Sequence, residues 1–346
     1  MPNNVRLLVG HEGGLSALRS SDGGKTWSDP ELVIPDVEVT ALVKLDGEMY
    51  AGTRGAGIFQ RLDGPGKSWH QLNTPPTLNK VRSLCVANGT LLVGTEPPAV
   101  YEWIGRERWE RLGNVTSTPG SKEWSYPVPT VDVHVRDVAV DPAQPDRIYA
   151  AIQVGGIALS PDHGGTWLER SNVNLDVHMI ETDPKRPGFV LAGAGYDPRS
   201  VLTEGLYRSD DFGDSWTPIS QGCGNFVVQF AMDPNDSDII YLGTSRGFPP
   251  AWWKTGTAHG EMFRTRDGGK SWTKLRGGLP DELESHITAV IVNEDDPEHI
   301  VFSGGLSHGE VRARDGGVYQ SLDYGDTWTK ICDVPEAAAL YCHSVA

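Results

Sequence analysis

The chain has 346 residues and a formal net charge of −16. That acidity excludes the broad basic face that nucleic acid or an anionic membrane requires, and its plain reading is solubility. Gly 41 and Pro 24 suit many short strands joined by turns, and the length fits one large all-β domain as well as two ordinary ones.

Residues 1–14 show no charged segment followed by a long apolar run, so neither a secretory leader nor a membrane span is expected. Cys85, Cys223, Cys332 and Cys342 have no CxxC spacing. Reduced thiols in a cytoplasmic protein are the expectation. The first strand pattern is VRLLVG at 5–10. An octet follows at 20–27, SSDGGKTW, and it returns as SPDHGGTW at 160–167, SDDFGDSW at 209–216, TRDGGKSW at 265–272 and SLDYGDTW at 321–328. Two degenerate copies lie at 63–69 (DGPGKSW) and 101–109 (YEWIGRERW). A fixed period is the mark of a repeat architecture. The octet has the chemistry of a tight hairpin turn. Its fifth residue, Gly, can take positive φ, its Asp can accept backbone N–H bonds, and its Trp should open the next strand.

Between octets a strand grammar repeats. An apolar run such as 135–140 is followed by an Asp-Pro turn (141–142, 183–184, 233–234) and a second strand carrying Tyr50, Tyr149 or Tyr241. Nothing reads as a long helix. The segment 338–345 reads as a first strand with no second after it, while 5–10 reads as a second strand with no first before it. Their pairing is expected to close a ring, with the C-terminal strand innermost and the edges protected. The prediction is an all-β fold: one seven-bladed β-propeller of four-stranded antiparallel blades over 1–346.

The octet resembles the Asp-box, or BNR, repeat of sialidases, xyloglucan-degrading glycosidases, sortilin-type receptors and a photosystem assembly factor. That resemblance implies that the octets join the third and fourth blade strands on the face away from any active site. Their aspartates are then structural. Sialidases bind the substrate carboxylate with three arginines, beside a Tyr–Glu pair and an Asp. That set does not map here, and the Arg-Ile-Pro motif is missing.

Long insertions at 113–133, 194–204, 245–261 and 304–317 all fall on the opposite face, so the site is expected there. His134, His178 and His286 should open innermost strands, His343 lies in the closing strand, and His11 and His308 end second strands. One reading makes His134, His178 and His286 acid–base groups with Tyr196 and Glu96. A second makes His11, His134, His178, His286 and His308 ligands of a divalent transition metal, although no Cys/His or H-E-x-x-H spacing supports it. A third is polar lining of a wet mouth. Arg54, Arg82, Arg136 and Arg246 are expected to bind substrate, as carboxylate or phosphate, with Arg199 and Lys254 nearby. Arg312 and Arg314 read as solvated loop charge. Candidate carboxylates are Glu12, Glu38, Glu96, Asp137, Asp176, Glu204 and Glu310, with no recognisable glycosidase pair. Candidate sugar platforms are Trp124, Tyr126, Tyr196, Trp252 and Trp253. Alternation along a strand would pack one of the adjacent tryptophans and leave the other open. No G-x-S-x-G, nucleophilic triad or phosphate loop is present. The sequence thus points to a hydrolase or lyase acting on a carbohydrate or small acidic ligand, with a metal enzyme and a non-catalytic binding or assembly propeller as alternatives.

Overall fold

The computed structural model describes residues 4–61, 68–105, 108–126, 131–170, 176–196, 204–308, 311–334, 337 and 339–344. The fold is a β-propeller of seven four-stranded antiparallel blades, and it divides into two compact units. One unit is Thr40–Pro218 and holds blades 2 to 5. Their first strands are Glu38–Leu45, Val81–Ala87, His134–Asp141 and Val177–Thr182. The other is Met1–Val39 with Ile219–Ala346. It holds blade 1, blade 6 starting at Phe226–Met232, blade 7 starting at His286–Asn293, and a two-stranded ribbon, Ser307–His308 with Val311–Arg312.

The expected closure is present in the second unit. Ala339–Ser344 pairs antiparallel with Val5–His11, and the sheet runs from that strand through Gly14–Ser20 to Glu31–Pro35. The core of each unit lies between successive blades. Leu92 and Val100 of blade 3 pack with Val135, Val138 and Ile148 of blade 4, and Ala139 and Tyr149 of blade 4 pack with Val177 and Ile180 of blade 5. Each buried Val, Leu or Ile among these contributes about 1.5–3 kcal/mol.

All five octets adopt one hydrogen-bonded form. At 20–27, Ser20 Oγ accepts the amides of Asp22 and Gly24, while Asp22 accepts the Thr26 amide at 2.9 Å and the Thr26 hydroxyl at 2.6 Å. The same bonds recur around Asp162, Asp211, Asp267 and Asp323. Bonds from Thr26, then Ser20, hold the Asp22 carboxyl at about 2. The fifth residue is left-handed as expected, with φ 88° at Gly24 and 90° at Gly269. In four octets the Trp sits just before the fourth strand rather than opening it, and Trp27 lies further ahead of Glu31–Pro35, whereas Trp69 and Trp109 of the degenerate copies open theirs. Blade 4, for example, resumes at Leu168–Arg170, and the Trp167 indole N–H donates to the Leu112 carbonyl at 3.0 Å. Residues 63–67 of the degenerate copy at 63–69 lie outside the described residues. The copy at 101–109 is a plain hairpin in which Trp103 and Trp109 stack at 6.1 Å.

The repeated second-strand Tyr has a structural use. The Tyr149 hydroxyl donates to the Phe212 carbonyl (3.0 Å) at the tip of the next blade's Asp box, and Arg147 donates to that carbonyl at 2.7 Å. Tyr241 and Arg264 hold Tyr324 in the same way. Both tips sit at positive φ, 60° and 57°, which costs a bulky residue conformational energy that these bonds offset. Tyr149→Phe is expected to cost about 1 kcal/mol in urea unfolding. An unchanged midpoint would show that Arg147 alone holds the tip.

Candidate active site

The site in the 40–218 unit is built by β-bulges. In blade 3, Val81 pairs with Thr95 and Ser83 with Gly94, which leaves Arg82 without a cross-strand partner. In blade 4 the skipped residue is Arg136, between Val135 and Asp137. In blade 5 it is His178, between Val177 and Met179. A bulge re-aims one side chain and bends its strand. Here the same bulge, at the same repeat position in three successive blades, presents Arg82, Arg136 and His178.

Around Arg82 the charges are organised by Glu96, which follows the second strand of blade 3 and is 2% exposed. Glu96 accepts Lys80 Nζ at 2.9 Å, Arg82 Nε at 2.9 Å and a further bond from the Arg82 fork, with Arg54 Nε at 3.3 Å and the Asp132 amide at 3.4 Å. Burial would raise its pKa. The bond from Lys80, the charge and bonds of Arg82 and the charge of Arg54 overcome that and hold it at about 2. Glu96 therefore stays ionised and cannot serve as the acid. Tyr126 lies against the His134 ring, centroids 5.1 Å apart, and its hydroxyl lies in the combined field of Arg136, Arg82, Asp176 and Arg54. Burial raises the phenol, which keeps its proton at neutral pH.

His134 opens its strand as expected, but both ring nitrogens are engaged. Nδ1 donates to the Asp132 carbonyl at 2.9 Å, and Nε2 faces the Gln153 amide at 3.1 Å. Burial, then the charge of Arg82, pushes it down to about 3, so it is a neutral structural histidine. This corrects its assignment as a catalytic group or ligand. His178 Nε2 lies 3.1 Å from Asp176 Oδ1, both side chains enclosed, as a close imidazole–carboxylate contact without hydrogen-bond alignment. Tyr196 is 40% exposed on the loop after Val190–Ala194, and its neighbour Gly195 donates its amide to the Asp176 carbonyl at 2.8 Å.

The residues predicted in the other unit form a separate cluster. The 245–261 insertion contains a helix, Pro249–Thr255, which sequence periodicity did not announce because it is only two turns long. Adjacent tryptophans on a helix point about 100° apart, so Trp252 turns inward. It is 2% exposed, stacks on His286 at 5.1 Å, meets Phe226 edge-on and donates Nε1–H to the Arg246 carbonyl. Trp252 is thus a core residue and not a sugar platform, and His286 is its packing partner. Trp253 is half-buried in the same small core. Arg246 is spent between two carboxylates, Glu261 at 2.9 Å and Glu282 at 2.8 Å, so it does not receive a substrate anion. His259, which sequence reading passed over, pairs with Glu282 at 2.7 Å.

Among the described residues, no group of three or more His, Cys, Asp or Glu side chains could hold a metal ion. His11 accepts the Gly13 amide on Nδ1 and so donates Nε2–H to Ser16 Oγ at 3.0 Å. The metal reading of His11, His134, His178, His286 and His308 is not met among these residues. The His308 side chain, Arg199 and Glu310 lie outside the described residues. Arg314 pairs with Glu284, as a solvated loop charge does. No helix of the described residues is long and apolar enough to cross a membrane.

Comparison with known proteins agrees with this architecture. A family model described as "Sortilin, neurotensin receptor 3" matches residues 204–340. A xyloglucanase of Paenibacillus sp is 25% identical over 280 residues, covering 71% of this chain and 25% of its own length. The xyloglucanase Xgh74A of Acetivibrio thermocellus is 26% identical over 235 residues. The chain thus spans about a quarter of the length of the curated xyloglucanases it matches. Among solved structures, the Niastella koreensis GH74 enzyme aligns with a TM-score of 0.62 at 15% identity, over 97% of this chain and 51% of that one.

Proposed function

Since the chain belongs to the Asp-box β-propellers of sialidase, xyloglucanase and sortilin type, we propose that it is a carbohydrate-acting enzyme, a hydrolase or lyase, whose ligand lies over the bulged ends of blades 3 to 5. The xyloglucanase relatives support the substrate class. One observation carries the location. The Tyr126 ring lies against His134 with centroids 5.1 Å apart, and the charges of Arg136, Arg82, Asp176 and Arg54 act on its hydroxyl. In this reading Tyr126 keeps its proton and donates it, His178 beside Asp176 takes the opposite role, and ionised Glu96 positions the arginines. The His178 side chain is 2% exposed, so a substrate must displace a neighbour to reach it. That enclosure favours a second reading, a carbohydrate-binding propeller without turnover.

The test is a panel of neutral and acidic oligosaccharides assayed for new reducing ends and for unsaturated products. Tyr126→Phe and His178→Asn are each expected to lower kcat by roughly 100-fold or more. Tyr126→Phe preserves the side-chain shape and should leave the melting temperature unchanged. Full turnover in Tyr126→Phe, or no turnover of any saccharide by the unmodified protein, would overturn the catalytic reading.

A further inference from the structure

We propose that the bulge-borne arginines of blades 3 and 4 form an oxyanion subsite, so that the saccharide this protein takes is acidic and not a neutral chain like xyloglucan. The inference rests on the reading of this face as the carbohydrate site and adds its charge requirement.

Arg136 is half-buried and lies within the field of Arg82, yet among the described residues it makes no hydrogen bond or ion pair. Glu96 already accepts Lys80, Arg82 and Arg54. The carboxyl of Asp137 is turned to the Val138 and Ile180 amides, at 2.9 and 3.0 Å. Asp176 lies against His178, and Asp132 is solvent-exposed. Lys80, Arg82 and Arg54 thus share Glu96, while no carboxylate among the described residues is bonded to Arg136, in a chain whose net charge is −16. Burial disfavours the charge on Arg82, the attraction of Glu96 opposes that, and the like charges of Arg136 and Arg54 add to the cost. Like charges brought together at a half-buried place destabilise the fold unless something else compensates. A bound oxyanion would compensate them: a planar guanidinium fork matches a carboxylate or sulfate bidentately. Glu96 supplies the rigid part of the receptor, fixing Arg82 and Arg54 and leaving Arg136 to meet the ligand. Arg246 in the other unit makes the contrast. It is an arginine of equal sequence promise, and its two carboxylate partners leave it nothing to bind.

A uronate carboxylate and a sugar sulfate ester share this chemistry, and titration separates them. Digalacturonate, a sulfated disaccharide, inorganic sulfate and a neutral xyloglucan oligosaccharide would be titrated into the full chain by calorimetry at two salt concentrations. One of the acidic disaccharides should bind, more weakly at high salt. Arg136→Gln should weaken it roughly 10- to 100-fold, the loss expected for a charged hydrogen-bond pair. Arg136→Lys should recover part of this, because charge remains but the fork is lost. Binding of digalacturonate identifies a carboxylate, and binding of the sulfated sugar a sulfate ester; either supports the subsite. Neutral oligosaccharide binding that ignores Arg136→Gln would overturn the proposal while leaving the carbohydrate reading intact. Inorganic sulfate matching both disaccharides would reduce the site to an adventitious ion only. No binding by any acidic probe would also overturn it, whatever the turnover assays give.

Discussion

Deleting residues 337–346 is expected to abolish cooperative folding. The deletion removes the edge strand Ala339–Ser344, which pairs with the N-terminal strand from Val5 to Gly10 and so joins the two ends of the chain in blade 1. It takes with it Ala337, Leu340 and Cys342, buried against Leu7, Val9 and Val301. The lost apolar burial amounts to several kcal/mol, and the strand from Val5 to His11 is left with an unpaired row of backbone groups. Net stabilities are only about 5–15 kcal/mol, so the truncated chain should sit near or below threshold. Circular dichroism of the 1–336 chain would then show no sigmoidal melt. A cooperative melt within a few degrees of the full chain would show that closure adds little. Leu340→Ala offers a graded version, with an expected loss of about 2–5 kcal/mol.

Glu181→Gln is expected to stabilise the protein at alkaline pH and to flatten its pH dependence. The Glu181 carboxyl lies near Asp137 and Asp183, and its Oε2 is sealed from solvent with no hydrogen-bond partner. Part of the residue reaches solvent, but the carboxylate atom does not, and the atom's surroundings govern its ionisation. Desolvation first, then the charges of Asp137 and Asp183, pushes it up to about 8, and desolvation pushes Asp137 up to about 6. The sign follows from linkage. A carboxyl whose folded pKa is raised holds its proton in the folded state while the unfolded chain releases it near the ordinary value. Stability is therefore full below about 4.5 and falls as pH rises to about 8. At 1.36 kcal/mol per unit, the fall assignable to Glu181 is about 3–5 kcal/mol. Urea unfolding at pH 5 and 8.5 should show the variant gaining at the higher pH and matching the parent at the lower. Parallel pH profiles would show that Glu181 ionises in the folded state at ordinary cost.

The sequence determined the repeat, the blade count and the closure. These are local or periodic properties. An Asp, a Gly and two hydroxyls within eight residues satisfy one another wherever they occur, and the Asp22 and Asp323 turns are the same object. Tertiary structure alone decided which partners each of the predicted groups has. His134, His178 and His286 read alike as polar residues at strand starts, yet the first is saturated by Asp132 and Gln153, the second lies against Asp176, and the third lies under Trp252. Arg136 and Arg246 also read alike, and only one is left without a carboxylate. The physical reason is that a bulge shifts pairing by one residue and an ion pair joins segments far apart in the chain. Neither leaves a periodic trace in the sequence.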